Sequence, residues 1–153
     1  MASENIFGSD LRLFDDLTRE DDRHRGSDLR TILNAGVVDL ETVGGVENLQ
    51  QALLLRFITH VGELAVLGHA DYGSRLFELI GELNNDTNRS IAKLYTLEAL
   101  QAEPRVKEVV SVDVTQDLSD RTRVNISVSV TTIDTETPVN LVFPFFFEGG
   151  VSQ

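Results

Sequence analysis

The hydrophobic period of this chain changes at Pro104, and that change restricts the fold more than any other feature. Upstream, apolar residues recur at helical spacing; downstream, they alternate with polar ones. Proline removes a helical donor and pushes the residue before it out of the helical region, so the break falls at Pro104 itself. Helical segments first and alternating segments last predict an α+β fold, with a C-terminal antiparallel sheet.

Val46, Leu49, Leu53 and Phe57 follow i, i+3, i+7, i+11, and Leu54 and Ile58 widen the stripe. Gly44-Gly45 marks the start of this helix, and Thr59-His60-Val61-Gly62 marks its end. After a loop, Tyr72, Leu76, Leu79, Ile80 and Leu83 fall on one face and predict a second helix. Asn84-Asn85-Asp86-Thr87 breaks it and offers capping side chains to a third, over about 87–102. Ile91, Leu94, Tyr95, Leu97 and Leu100 spread around that helix, which suggests contact on more than one side. About three helices are therefore expected.

Beyond Pro104, Val110, Val112 and Val114 alternate with Ser111 and Asp113. Val124, Ile126, Val128 and Val130 alternate with Asn125, Ser127 and Ser129, and Val139, Leu141, Phe143, Phe145 and Phe147 form a third alternating set. With turns at Gln116–Arg121 and Asp134–Pro138, this reads as a three-stranded antiparallel meander, one face under the helices and the other polar. Pro144 cannot donate to a ladder, so the last strand should lie at an edge. That strand is also the most apolar, whereas edges are usually blunted by charge. Either another chain covers it or helices of the same chain do.

Residues 1–28 read as a charged, mobile arm that orders on a partner, 29–147 as a single α+β domain, and 148–153 as a short tail. The pentapeptide Gly-Ser-Asp-Leu-Arg occurs at 8–12 and again at 26–30. Two short copies do not make a repeat architecture; they are similar turn-plus-extended starts or coincidence. Val37-Val38-Asp39-Leu40 looks extended.

Composition narrows function. Twenty-five acids against 13 bases give a net charge of −12, which argues against a nucleic-acid partner. All bases but Lys93 and Lys107 are Arg, which favours planar multi-bond contacts. The longest apolar runs, Ala52–Leu55 and Phe143–Phe147, fall far short of the roughly 20 residues of a membrane span, so no membrane is expected. The first ten residues lack a basic-then-apolar signal pattern, so the chain should fold where it is made. No cysteine is present, which removes disulfides, thiolate metal sites and a cysteine nucleophile.

No catalytic constellation stands out. His24, His60 and His69 lack metal-ligand spacing, and no metal or cofactor is expected. Glu63 and Asp71 could form a glycosidase pair only if an apolar pocket, built from Leu64, Val66 and Leu67, raised the pKa of Glu63. Tryptophan, often a sugar-stacking residue, is absent, as is a large helical lobe to close a cleft.

The stretch Val46–Glu82 resembles the baseplate wedge proteins that initiate the sheath of contractile phage tails and related injection systems. The motif residues are Leu55-Arg56, Thr59, Gly62-Glu63 and Tyr72-Gly73-Ser74-Arg75-Leu76, followed by Glu103-Pro104-Arg105. Where the family often has proline before the aromatic-Gly-Ser, this chain has Ala70-Asp71. The resemblance covers roughly 44–147. It implies a structural, non-enzymatic virion or injection-particle component, assembled in the bacterial cytoplasm. Its sheet, through Val139, Leu141, Phe143, Phe145 and Phe147, would accept terminal strands of the sheath subunit. Glu103, Pro104 and Arg105 would dock on the wedge core bundle, whereas Arg56, Gly62, Glu63, Tyr72, Gly73, Ser74 and Arg75 would be structural. The resemblance also implies six copies per particle, with a central hub or spike as a further partner. Members have been called lysozyme-like, which leaves a glycan-cleaving enzyme of the same particle as the alternative.

Overall fold

A computed structural model describes residues 7–13 and 29–147. The remaining residues of the arm, His24 among them, and the tail 148–153 lie outside the described residues. The chain divides into two compact units, Met1–Ala52 and Leu53–Gln153, and one helix, α1 (Gly45–Ile58), runs through the division.

In the first unit, β1 (Ser9–Leu11) pairs antiparallel with β4 (Thr42–Gly44), and β2 (Thr31–Asn34) pairs antiparallel with β3 (Val37–Leu40). Part of the predicted arm is thus a strand. The β2–β3 turn runs through Ala35 (φ 50°) and Gly36 (φ 85°), the pair of positive φ values that a two-residue hairpin with matching twist requires. The extended reading of Val37–Leu40 is correct. On α1, Asn48 and Gln51 hold the N-terminal segment: Asn48 Nδ2 donates to Phe7 O (2.6 Å), Gln51 Nε2 donates to Leu11 O (2.9 Å), and Leu13 N donates to Gln51 Oε1 (2.9 Å).

The second unit holds the end of α1, a helix α2 (Asp86–Gln101) and a sheet in the order β5 (Val106–Gln116), β6 (Arg123–Thr132), β7 (Val139–Phe146). Helix α2 begins where expected: the Asn85 side chain accepts from Asn88 N at 2.8 Å. Its buried face is Ala92, Thr96, Ala99 and Leu100, and Leu94 is half exposed. That face packs on β5, where small residues allow close approach, and the helix also contacts the Leu76–Leu79 turn, with Ile91, Tyr95 and Leu97 half-buried, so contact on more than one side is as expected. The meander is as expected. Val124, Ile126, Val128 and Val130 alternate inward on β6, as do Val139, Leu141 and Phe143 on β7, and Phe57 of α1 stacks on Phe143 at 4.6 Å. Val110, expected inside, is exposed because a register shift between Val109 and Ser111 puts the strand out of phase there.

The predicted second helix over 72–83 does not form. Among the described residues there are two α-helices, and this stretch holds only a 3-10 turn at Leu76–Leu79. Gly73 (φ 114°) and Gly81 (φ 94°) lie far outside helical φ, and they bracket the one turn whose Leu76 and Leu79 are buried. Ile80 and Leu83, assigned to the same buried face, are exposed. Among the described residues no helix is long and apolar enough to cross a membrane.

Candidate functional site

Among the described residues, the buried charged side chains, Arg56 and Glu103, meet at the corner at Pro104. Helix α2 stops at Gln101 and the chain turns into β5, leaving Glu103 only 5% exposed. Arg56, in the last turn of α1, donates from Nη2 to Glu103 Oε2 (3.1 Å), and Arg105 donates from Nε to Glu103 Oε1 (2.6 Å). The Arg56 guanidinium lies over the Tyr72 ring, 4.5 Å from its centroid. Two guanidinium groups face one carboxylate, so the cluster is net positive within a chain of charge −12. Burial pushes the Glu103 carboxyl up, but the hydrogen bonds and charges of Arg105 and Arg56 outweigh it, and its pKa lies below the ordinary value. Burial, opposed by the charge of Arg56, raises that of Tyr72. Pro104 is exposed and Arg105 half-buried, so those two form the outward part of the corner.

Two motifs far apart in sequence therefore meet: Arg56 and Tyr72 from one, Glu103 and Arg105 from the other. Sequence reasoning placed Glu103 outward and missed its pairing with Arg56. The available signal was Arg56 itself, a charge between Leu55 and Phe57 in an apolar helix, which demands a buried partner.

The loop from Thr59 to Leu76 closes on itself around Gly73. Ser74 N donates to Thr59 O (2.9 Å), Val61 N donates to Ser74 O (3.1 Å), and Ser74 Oγ donates to Phe57 O (2.7 Å). A β-carbon on Gly73 would sit 2.6 Å from Thr59 O and 2.9 Å from Val61 N, so backbone crosses backbone there and only glycine fits. Gly62 turns the chain at φ 89°, and Glu63 accepts from His60 N at 3.1 Å. Arg75 pairs with Glu78 (3.1 Å) and lies over the Tyr95 ring at 4.4 Å, on the surface. Thr59, Glu63, Ser74 and Arg75 thus all bond to other residues of the same chain.

The acidic pair has no apolar pocket. Glu63 and Asp71 are exposed, Val66 and Leu67 are 96% and 71% exposed, and the Glu63 carboxylate is spent on its own turn. His60 stacks on Phe77 at 4.3 Å. No group of three metal-ligating side chains occurs among the described residues.

At the other end of the sheet, β7 is the edge strand among the described residues, and Pro144 lies in it, opposite Asn125. Val139, Leu141, Phe143 and Phe147 are buried within this chain, and Phe145 is half-buried, edge-on to Phe147 at 5.3 Å. Their side chains are thus covered by the chain's own core. The main-chain edge is a separate matter. Phe147 N donates to Thr122 O (3.0 Å); counting back in twos, the amides of Phe145, Phe143 and Leu141 face β6, and that of Val142 faces away from it.

Residues 30–135 match the family model for contractile injection system sheath initiators. The chain belongs to that family. A sheath initiator is a structural component of a contractile tail, and the matched span contains both the Arg56–Glu103 corner and the Gly73 loop. Among solved structures, this sheath initiator is similar to a protein from Geobacter sulfurreducens that carries the provisional name tail lysozyme. The TM-score is 0.58 at 24% identity, covering 69% of this chain and 93% of that one, a likeness that speaks for the fold alone. A comparison with curated proteins finds no match.

Proposed function

We propose that this sheath initiator is the baseplate wedge subunit on which the sheath starts to polymerise, and that it works by strand addition rather than by catalysis. Extended terminal segments of the first sheath ring would pair with the outer edge of β7, where main-chain groups give affinity and alternate side chains give register. Pro104 and Arg105 would dock on the wedge core bundle, with Glu103 holding Arg105 in place from beneath. Roughly six copies would form the ring around a central hub or spike, assembled in the cytoplasm before sheath extension. The observation that carries the strand-addition reading is β7 itself, whose Val139, Leu141 and Phe143 side chains are buried in the core while the Val142 amide faces away from β6. The exposed, self-capped Glu63 speaks against a glycan-cleaving role.

The test is capture of purified sheath subunit by wild type, Val142→Pro and Val142→Thr. Proline removes the outward amide without touching the β6 ladder, whereas threonine changes only the side chain. Wild type and Val142→Thr should capture sheath, and Val142→Pro should lose most of it with an unchanged circular dichroism spectrum. Equal capture by all three would refute addition at this edge. Arg105→Ala should spare sheath capture and weaken binding to the wedge core.

A further inference from the structure

The two copies of Gly-Ser-Asp-Leu-Arg, at 8–12 and 26–30, end in residues that meet at one point of the first unit. From Val37 to Gly44 the chain is nearly one strand, with β3 passing through Glu41 into β4. Two segments pair with it end to end, β2 on the first half and β1 on the second. They meet at Glu41. Arg12 N donates to Glu41 O (3.0 Å), and Glu41 N donates to Arg30 O (2.8 Å). The Glu41 carboxylate is divided the same way, with Oε1 3.0 Å from Arg12 Nε and Oε2 3.8 Å from Arg30 Nη1. Arg12 and Arg30 are the final residues of the two copies.

The registers make the coincidence specific. Thr31 lies opposite Leu40, so continuing β2 backwards in its own register places Leu29 opposite Thr42, Asp28 opposite Val43 and Ser27 opposite Gly44. The residues observed at those positions are Leu11, Asp10 and Ser9. Each is the same amino acid as the one the extended β2 would bring, because the offset between the registers equals the spacing between the copies. Register is weakly specified when two alignments bury equivalent side chains, and here the pentapeptides are identical.

We propose that the β4 edge, with Glu41 at its end, is a binding site for an extended Gly-Ser-Asp-Leu-Arg strand, and that residues 26–30 are its alternative occupant, displacing residues 8–12. The first copy is held by contacts outside the pentapeptide: buried Phe7, whose carbonyl accepts from Asn48, and Leu13, whose amide donates to Gln51. At the place of Phe7 the second copy offers Arg25. It gains continuity with β2 instead. Exchange lengthens the β2–β3 hairpin and releases the segment bearing Phe7.

The chain has no cysteine, so engineered pairs report each occupant cleanly. A β-carbon on Gly44 would lie 3.9 Å from that of Ser9, a separation that suits a disulfide. Ser9→Cys/Gly44→Cys reads the observed state and Ser27→Cys/Gly44→Cys the exchanged one. Asp28→Cys/Gly44→Cys, one residue out of register, is the control. In dilute full-length protein under mild oxidation, mapped by mass spectrometry, the Ser27 pair should link within one chain about tenfold more than the Asp28 pair. Adding Phe7→Ala, or Arg12→Ala as a second route, should raise the Ser27 link and lower the Ser9 link. Equal linking at Ser27 and Asp28, insensitivity to both added substitutions, or links only between chains would each overturn the proposal.

Discussion

Replacing Gly73 by alanine should break the loop that joins the two motifs, and the structure supplies the magnitude. The added β-carbon would lie 2.6 Å from Thr59 O, and reaching an ordinary contact near 3.4 Å requires a shift of about 0.8 Å between two backbone segments. That shift strains Ser74 N to Thr59 O and Val61 N to Ser74 O, hydrogen bonds worth about 1 kcal/mol each. Holding alanine at φ 114° adds about 1 kcal/mol or more. The total is about 3 kcal/mol, or roughly 6–12 °C in Tm. Gly68→Ala is the matched control, because Gly68 also has positive φ (85°) but nothing within 4 Å of its added β-carbon. It should lose only about 1 kcal/mol. Urea and thermal unfolding of both variants decide the matter. Losses equal within error would mean that backbone crowding at Gly73 contributes nothing, and that the Thr59–Ser74 closure is not what holds the loop.

The corner and the surface should respond in opposite ways. Arg56→Met leaves the buried Glu103 carboxylate one guanidinium short, and should cost about 3–5 kcal/mol by urea unfolding; a loss below about 1 kcal/mol would show that Arg105 suffices. Glu63→Gln keeps an acceptor for His60 N on an exposed side chain, so stability should change by about 0.5 kcal/mol or less and sheath capture not at all; cell-wall clearing by wild type that vanishes in this variant would reinstate the enzymatic alternative. Acid should destabilise through two carboxyls with depressed pKa values, Glu103 at the corner and Asp117, which the Ser119 hydroxyl and neighbouring backbone amides hold at about 2. Both contributions are complete above the ordinary carboxylate range and are lost as pH falls through the folded values, for Asp117 down to about pH 2. Urea midpoints measured from pH 7 to pH 2 should stay level at first and then fall, and a decline that is finished above pH 5 would contradict these assignments.

Much of the architecture was legible because local physics decides it. The stop at Pro104, the cap at Asn85 and the alternation along β6 and β7 each depend on residues within a few positions of one another. The run Tyr72–Leu83 had a helical hydrophobic pattern, yet Gly73 and Gly81 needed positive φ to make contacts outside the run, and those contacts won. Val110 had the right alternation and the wrong face, because a bulge is set by how two strands meet.

The candidate site divides along the same line. Sequence alone ended the helix at Pro104, since proline restricts the backbone wherever it stands, and the family resemblance marked Glu103-Pro104-Arg105 and Tyr72-Gly73-Ser74 as motifs; glycine permits many conformations and so does not by itself say which one is used. The sequence also showed two identical pentapeptides without a reason for them. Only the tertiary structure turned Glu103 inward to Arg56 and set Gly73 against Thr59, because both depend on segments remote in sequence arriving at one point. The two registers that meet at Glu41 are visible only once strands are paired, since a ladder's alignment is a relation between segments and not a property of either one.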